Sequence, residues 1–308
     1  MITIKDLVKV YPGPVAALQG INLEIPSGMF GLLGPNGSGK STLMRIMAGL
    51  LAPTSGSITM DGIDITSRPE SVWSRLGYLP QDFGFYPNLT GEAVLLHMLR
   101  LKGVKAPKGL KYLVAQLLER VNLSDAGKRK VKTYSGGMKQ RLGIAQAIAG
   151  KPDLIIVDEP TAGLDPEERM RFYHLLSTLA EDRTVLLTTH IVEDVGVLCP
   201  QFAIIRKGKL ITTTTPGEAC AGLVGHLYEG SVARRDLEKV SASGAITRRF
   251  LFEGQHRVRV YITDGEVPAG FTLAEPMLED AYMLQQHADE ERREAVNNTL
   301  AKKDGDEG

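Results

Sequence analysis

Gly34-Pro35-Asn36-Gly37-Ser38-Gly39-Lys40-Ser41 lies between an apolar run, Met29 to Leu33, and a segment of helical character from Ser41 to about Leu50. A glycine-rich turn that ends in Lys-Ser and joins a buried strand to a helix fits the phosphate-loop pattern. Its glycines let the backbone curl, so that successive N–H groups point at the β- and γ-phosphates of a nucleotide. The helix start adds a favourable dipole. In such a loop Lys40 sets a cation on the β/γ oxygens and Ser41 offers a hydroxyl to Mg²⁺. Gly34, Pro35, Asn36, Gly37, Ser38, Gly39, Lys40, Ser41 and Thr42 are therefore candidate ATP contacts. The Gly-x-Gly-x-x-Gly spacing of dinucleotide folds is absent.

Downstream, Leu154 to Val157 forms a short apolar run that ends in Asp158-Glu159, the pattern of a strand buried on both faces. In a phosphate-loop fold Asp158 comes beside Ser41 to hold the metal, and Glu159 polarises the attacking water. Thr184 to Thr189 is a second such run, and His190 at its end emerges on the same sheet edge as a hydrogen-bond donor to the γ-phosphate. Tyr134-Ser135-Gly136-Gly137-Met138-Lys139-Gln140-Arg141 reads differently. A Ser-Gly-Gly turn leading into a basic helix is a second anion-binding device, and one nucleotide rarely needs two from the same chain. The economical arrangement holds each ATP between two chains, which predicts a dimer.

Strands alternating with helices indicate an α/β core around a mostly parallel sheet. Ile21, Leu23 and Ile25 alternate with polar residues, and Ile58-Thr59-Met60-Asp61-Gly62 reads as a hairpin strand, so an antiparallel β subdomain is expected beside the core. Leu76 to Pro80 is a further short strand ending at Gln81. From about 82 to 150 the pattern turns helical: Thr90 caps a helix over Glu92 to Leu101, Lys111 to Val121 carries an apolar face, and Ser135 starts a third helix. Asp165-Pro166 is an N-cap followed by proline at the first helical position. Beyond about 215 a small α+β extension (216–288) is expected, with strands Arg248 to Phe252 and Val258 to Thr263 joined by Glu253-Gly254-Gln255, and a helix from Leu278 to His287. Asp289 to Gly308 is charged, poor in aromatics and expected to be disordered.

Composition excludes several functions. With 36 basic and 36 acidic residues the net charge is zero, unlike a general nucleic-acid binder. The only concentrated basic run, Lys128, Arg129, Lys130 and Lys132, reads as a solvated face. Cys199 and Cys220 show neither metal spacing nor a disulfide framework and are expected to be reduced. No signal pattern opens the chain, and no apolar stretch approaches the roughly 18 residues that cross a bilayer. The motifs Asn88-Leu89-Thr90 and Asn297-Asn298-Thr299 are read as chance.

Taken together, residues 1 to 215 resemble the ATP-binding subunits of ABC transporters. The resemblance implies that Tyr11 stacks on adenine, that Gln81 reaches the metal and senses a membrane partner, and that Ser135, Gly136 and Gly137 bind the γ-phosphate of ATP held by the opposite subunit. Leu164-Asp165 matches the loop that crosses the dimer interface, so Asp165 joins the candidate contacts. Tyr134 departs from the family, which commonly has leucine there. Leu278-Glu279-Asp280-Ala281-Tyr282 and the stretch Gln81 to Thr90 are similar to single-cassette subunits that serve ABC-2-type permeases, usually exporters. The implied assembly is a head-to-tail dimer with a second copy or a related cassette, peripheral on the cytoplasmic face of the membrane through an integral permease. A chromosome-maintenance ATPase would carry long heptads and a ribosome-associated protein two cassettes; neither feature is present. An ATPase that drives a membrane complex mechanically, without transport, shares every motif.

Overall fold

The computed structural model describes residues 1–13 and 15–286. The predicted tail 289–308 and the last residue of the predicted final helix, His287, lie outside the described residues. The chain divides into two compact units, the first ending at Thr213 and the second starting at Thr214.

In the first unit β1 (Ile2–Tyr11), β2 (Val15–Ile25) and β3 (Gly28–Leu33) lead through the phosphate loop into α1 (Lys40–Met47). Then come β4 (Ser55–Met60), β5 (Ile63–Asp64), α2 (Glu70–Trp73) and β6 (Leu76–Leu79). Three helices follow: α3 (Gly91–Leu101), α4 (Leu110–Arg120) and α5 (Gly136–Ala147). The unit closes with β7 (Leu154–Asp158), α6 (Pro166–Ala180), β8 (Thr184–Thr189), α7 (Val192–Leu198), β9 (Gln201–Arg206) and β10 (Lys209–Thr214). A six-stranded sheet runs in the order β10-β9-β3-β8-β7-β6, and a four-stranded sheet in the order β2-β1-β4-β5. The central pairs of the larger sheet are parallel, and β1 pairs antiparallel with β2 and β4. Leu43, Met44, Ile46 and Met47 of α1 share one buried core with Ile2, Ile4 and Leu7 of the smaller sheet and with Phe30, Leu32, Ile156 and Leu186 of the larger. The helix that begins at the phosphate loop is thus held by apolar burial from both sheets, the dominant favourable term in folding.

Register places the chemistry. Leu33 pairs with Thr189, and Asp158 with Thr188, so β3, β7 and β8 end at one edge, where ligands of open parallel sheets bind. The insertion sits beside β6: α5 packs on β6, α3, α4 and α6. Thr90 caps α3 by accepting from the Ala93 N–H at 3.2 Å. Tyr134 is buried and donates its hydroxyl to the Ala126 carbonyl at 2.8 Å. Gly91 makes room for it, since a Cβ there would lie 2.2 Å from the Tyr134 oxygen.

Two features escaped the sequence pattern. The strand read through Asp61-Gly62 stops at Met60, because both residues are left-handed (φ 51° and 81°) and form the two-residue turn into β5. The turn Lys207-Gly208 between β9 and β10 is built into the core of the site. Gly208 donates its N–H to the Ser38 carbonyl at 2.8 Å and accepts from the Gln19 N–H at 2.8 Å. A Cβ on Gly208, or on Gly39 of the phosphate loop, would lie 2.6 Å from the Ala17 carbonyl oxygen. The smaller sheet, the phosphate loop and this turn therefore meet at one backbone oxygen.

The second unit contains α8 (Pro216–Ala221), β11 (Leu227–Ser231), α9 (Leu237–Ser243), β12 (Ala245–Phe252), β13 (Gln255–Tyr261) and β14 (Thr272–Leu273). Its sheet runs β12-β13-β11-β14 over a core of Val240, Val258, Val260 and Ile262. Residues 278–286 are helical. Asp280 near the start of that helix is fully buried. It accepts from Thr247 Oγ1 at 2.6 Å, from Arg259 Nη1 at 2.6 Å and from the Met277 N–H at 2.9 Å.

Candidate nucleotide site

The loop from Gly34 to Gly39 turns β3 into α1 with Gly37 at φ 76° and Gly39, the N-cap, at φ 109°. Residues with a Cβ rarely take such angles. Asn36 and Gly37 are exposed at the mouth, whereas Ser38 is buried and its hydroxyl has no hydrogen-bond partner. Lys40 is only 5% exposed. Its ammonium curls back and donates to the carbonyls of Gly34 at 2.7 Å and Pro35 at 3.1 Å. Burial lowers the Lys40 pKa, and the Glu159 and Asp158 carboxylates partly offset this. Ser41 is exposed at the helix start. Tyr11, at the end of β1, reaches the same place: its hydroxyl lies 3.4 Å from Thr42 Oγ1, and Lys9 Nζ stands 5.5 Å from its ring centre.

Opposite the loop, Asp158 ends β7 and accepts from Thr188 Oγ1 at 2.7 Å. Burial raises its pKa, an effect opposed by that hydrogen bond. Glu159 follows in the left-handed region at φ 46°, a position that costs of order 1–3 kcal/mol for a residue with a side chain and persists only where the surroundings over-determine it. Its N–H donates to the Thr188 carbonyl at 2.8 Å. Its buried carboxylate gathers the other candidates: Lys40 Nζ at 3.9 Å, His190 Nδ1 at 3.0 Å and Gln81 Nε2 at 3.1 Å. His190 and Gln81 are themselves exposed, so Glu159 stands at the border between the core and the crevice.

The remaining candidates are elsewhere. Ser135 caps α5, accepting from the Met138 N–H at 3.2 Å. Gly136 has open space where a Cβ would be, and Gly137 packs on Glu168, whose Oε2 would lie 2.5 Å from a Cβ. Asp165 caps α6, accepting from the Glu168 N–H at 2.8 Å. Glu168 also accepts from Arg141 at 3.2 Å, so the Ser-Gly-Gly turn and the start of α6 form one joined surface. Among the described residues, none of their hydrogen bonds reaches the phosphate loop.

Sequence reasoning missed a buried polar network behind the site. Asp194 in α7 is fully buried and joins Thr161, Arg169, Tyr173 and Thr189. The available signal was modest: a threonine directly before His190 and an acidic residue in the next helical turn.

Comparison with known proteins identifies relatives of the chain. The family model described as "ABC transporter" matches residues 18–162. The chain is 40% identical over 224 residues to the daunorubicin/doxorubicin resistance ATP-binding protein DrrA of Streptomyces peucetius, covering 72% of this chain and 67% of that protein. It is 37% identical over 227 residues to the linearmycin resistance ATP-binding protein LnrL of Bacillus subtilis, covering 73% and 72%. ABC transporter A family member 10 of Arabidopsis thaliana is 34% identical across 92% of this chain, which spans 31% of that longer protein. Among solved structures, the ATP-binding cassette MJ0796, dimeric in a post-hydrolysis state with ADP and phosphate, is similar with a TM-score of 0.63 and 27% identity, over 70% of this chain and 98% of that one.

Proposed function

Because this chain belongs to the ATP-binding proteins of the ABC transporter family, an ATPase family, we propose that it forms the ATP-hydrolysing subunit of an exporter and works as a head-to-tail dimer. The observation that carries the reading is the Glu159 carboxylate. It stands within 3.9 Å of Lys40, 3.0 Å of His190 and 3.1 Å of Gln81 at the edge where the phosphate loop opens.

In this reading the loop N–H groups and Lys40 hold the β- and γ-phosphates, with Lys40 turning outward from the Gly34 and Pro35 carbonyls. Ser38, whose buried hydroxyl lacks a partner, supplies a further donor. Tyr11 stacks on the base. Glu159 orients and polarises the attacking water. His190 faces Glu159 through Nδ1, and in the imidazolium form it donates from Nδ1 to that carboxylate and from Nε2 to the γ-phosphate. Catalysis of this kind is mostly positioning and charge stabilisation.

Among the described residues no group of three or more His, Cys, Asp or Glu assembles as a metal cage. That fits Mg²⁺, which binds through one or two protein oxygens, phosphates and water. Ser41, Asp158 and Gln81 would hold it, and it would neutralise charge developing on the phosphates. The raised pKa of Asp158 supports the assignment, since a buried carboxylate gains from a nearby cation.

Ser135, Gly136, Gly137 and Asp165 act across the dimer interface on the partner's nucleotide, which explains why their contacts stay within α5 and α6. A cavity of about 330 Å³ is lined by Gln81, Phe83, Phe85, Lys132, Gly136 and Lys139. It joins the Gln81 loop to the start of α5 and receives a helix of the permease. Among the described residues no helix is long and apolar enough to cross a membrane, so attachment to the cytoplasmic face runs through that partner. The resistance functions named for DrrA and LnrL favour export of a small organic compound over a purely mechanical role.

The test is Glu159→Gln in the full chain. Phosphate release should fall to background while ATP binding persists, and size-exclusion chromatography with saturating ATP should show a dimer. Wild-type turnover in a monomer would overturn both the base assignment and the shared site.

A further inference from the structure

Asp194 divides its two carboxylate oxygens between different parts of the fold. Oδ1 accepts from Tyr173 Oη at 2.5 Å and from Arg169 Nη2 at 2.7 Å, both on α6. Oδ2 accepts from Thr161 Oγ1 at 2.5 Å and from Thr189 Oγ1 at 3.2 Å. Thr161 sits two residues after Glu159, and Thr189 directly precedes His190. Thr189 Oγ1 also accepts from the Ile191 N–H at 2.9 Å, so the turn that carries His190 is bracketed on both sides. The strand partner Thr188 points the other way and holds Asp158. Adjacent threonines on β8 thus anchor opposite faces of the site.

We propose that Asp194 is a positioning residue for ATP hydrolysis: by gripping Thr161 and Thr189 on one oxygen, it fixes the distance between Glu159 and His190. The inference rests on the catalytic reading of Glu159 and His190 given above. Arg169 sets its guanidinium against this fully buried carboxylate at 2.7 Å, the pairing that a buried acid needs. Glu159 in its left-handed conformation is held from in front by Lys40, Gln81 and His190 and through the chain from behind by this clamp. A catalytic group displaced by about 1 Å loses on the order of 10²-fold in rate. The clamp meets the phosphate loop only through backbone, where the Thr189 carbonyl accepts from the Gly34 N–H at 3.3 Å. Its side-chain hydrogen bonds stay clear of the loop, so side-chain variants of the clamp should leave nucleotide affinity nearly unchanged.

Steady-state ATPase kinetics and melting temperatures of the full chain test this with Thr161→Val, Thr161→Ser, Thr189→Val, Tyr173→Phe and Glu159→Gln. Thr161→Val removes a hydroxyl and keeps the shape. It should lower kcat by about tenfold or more with KM for ATP within about twofold, as expected for loss of an interaction needed only in the transition state. Thr189→Val should do the same by the second route, and Thr161→Ser should restore kcat. Tyr173→Phe breaks an equally short bond to the same carboxylate on the side away from the catalytic loops, so it should lower the melting temperature and leave kcat within about twofold. Wild-type kcat in both valine variants, or equal loss of kcat in Tyr173→Phe, would overturn the inference. A wild-type rate in Glu159→Gln would instead remove the catalytic reading beneath it.

Discussion

Replacing Asp280 by alanine should destabilise the second unit while sparing ATP hydrolysis. The carboxylate is fully buried and accepts from Thr247, Arg259 and the Met277 N–H. Its removal leaves Arg259, 3% exposed, with one remaining acid, Glu229, at 3.3 Å. Breaking a buried ion pair by deleting one partner costs about 3–5 kcal/mol. The surviving Glu229 contact places this case near the lower end, about 3 kcal/mol. For a unit of this size each kcal/mol moves the melting midpoint by roughly 4–8 °C, so a fall of about 12–24 °C is expected in the transition of the second unit. Differential scanning calorimetry, with hydrogen exchange to assign each transition, measures it. Exchange should rise first in β12 and β13. A midpoint within about 2 °C of wild type would show that Asp280 does not hold the terminal helix to the sheet. Loss of ATPase activity would show that the second unit supports nucleotide chemistry, although every candidate phosphate contact lies before Thr213.

Lys40→Ala should weaken ATP binding and abolish phosphate release, because a buried cation leaves the β/γ position; isothermal titration and a phosphate assay read both, and normal turnover would refute the nucleotide assignment. Ser135→Arg should block ATP-dependent dimerisation while leaving nucleotide binding by the monomer intact, and the missing α5 cap should cost about 1 kcal/mol of folding stability; loss of monomer affinity would place Ser135 in its own chain's site. Asp158→Asn should raise the melting temperature of the nucleotide-free chain at neutral pH while hydrolysis is lost. The sign follows from linkage: the folded pKa is raised by burial, so ionised Asp158 costs stability above that pKa, and the cost fades as pH falls and the carboxyl protonates. A gain that persisted undiminished in acid would contradict this origin.

Much of the site was legible because its chemistry depends on short local patterns. The Gly34–Ser41 loop, the acidic pair after the Leu154 run and the Ser135 turn announce themselves within a few residues, and Thr90, Ser135 and Asp165 cap helices as their types predict. What escaped depends on tertiary approach. Asp194 looks like an ordinary surface acid of a short helix, and only the folded chain brings Thr161 and Tyr173 to it. Tyr134 reads as a departure from the family, yet Gly91, far off in sequence, provides its space. Asp61-Gly62 was absorbed into a strand because alternation alone does not reveal left-handed backbone, and the Leu278–Tyr282 motif gave no hint that Asp280 reaches Thr247 and Arg259.

Among the described residues, three hairpin turns share one backbone design: Asp61-Gly62, Lys207-Gly208 and Glu253-Gly254 each pair a residue at φ 46–51° with a glycine at φ 76–81°. An engineer choosing where to graft an epitope or a fluorophore would regard them as equivalent. They are not. Gly254 has open space where a Cβ would stand, whereas Gly208 is wedged between Ala17 and Ser38. A graft at Glu253-Gly254 should be silent toward nucleotide. One at Lys207-Gly208 would pry the phosphate loop from β2, and a reporter there would sense the nucleotide site from what looks like an ordinary surface loop.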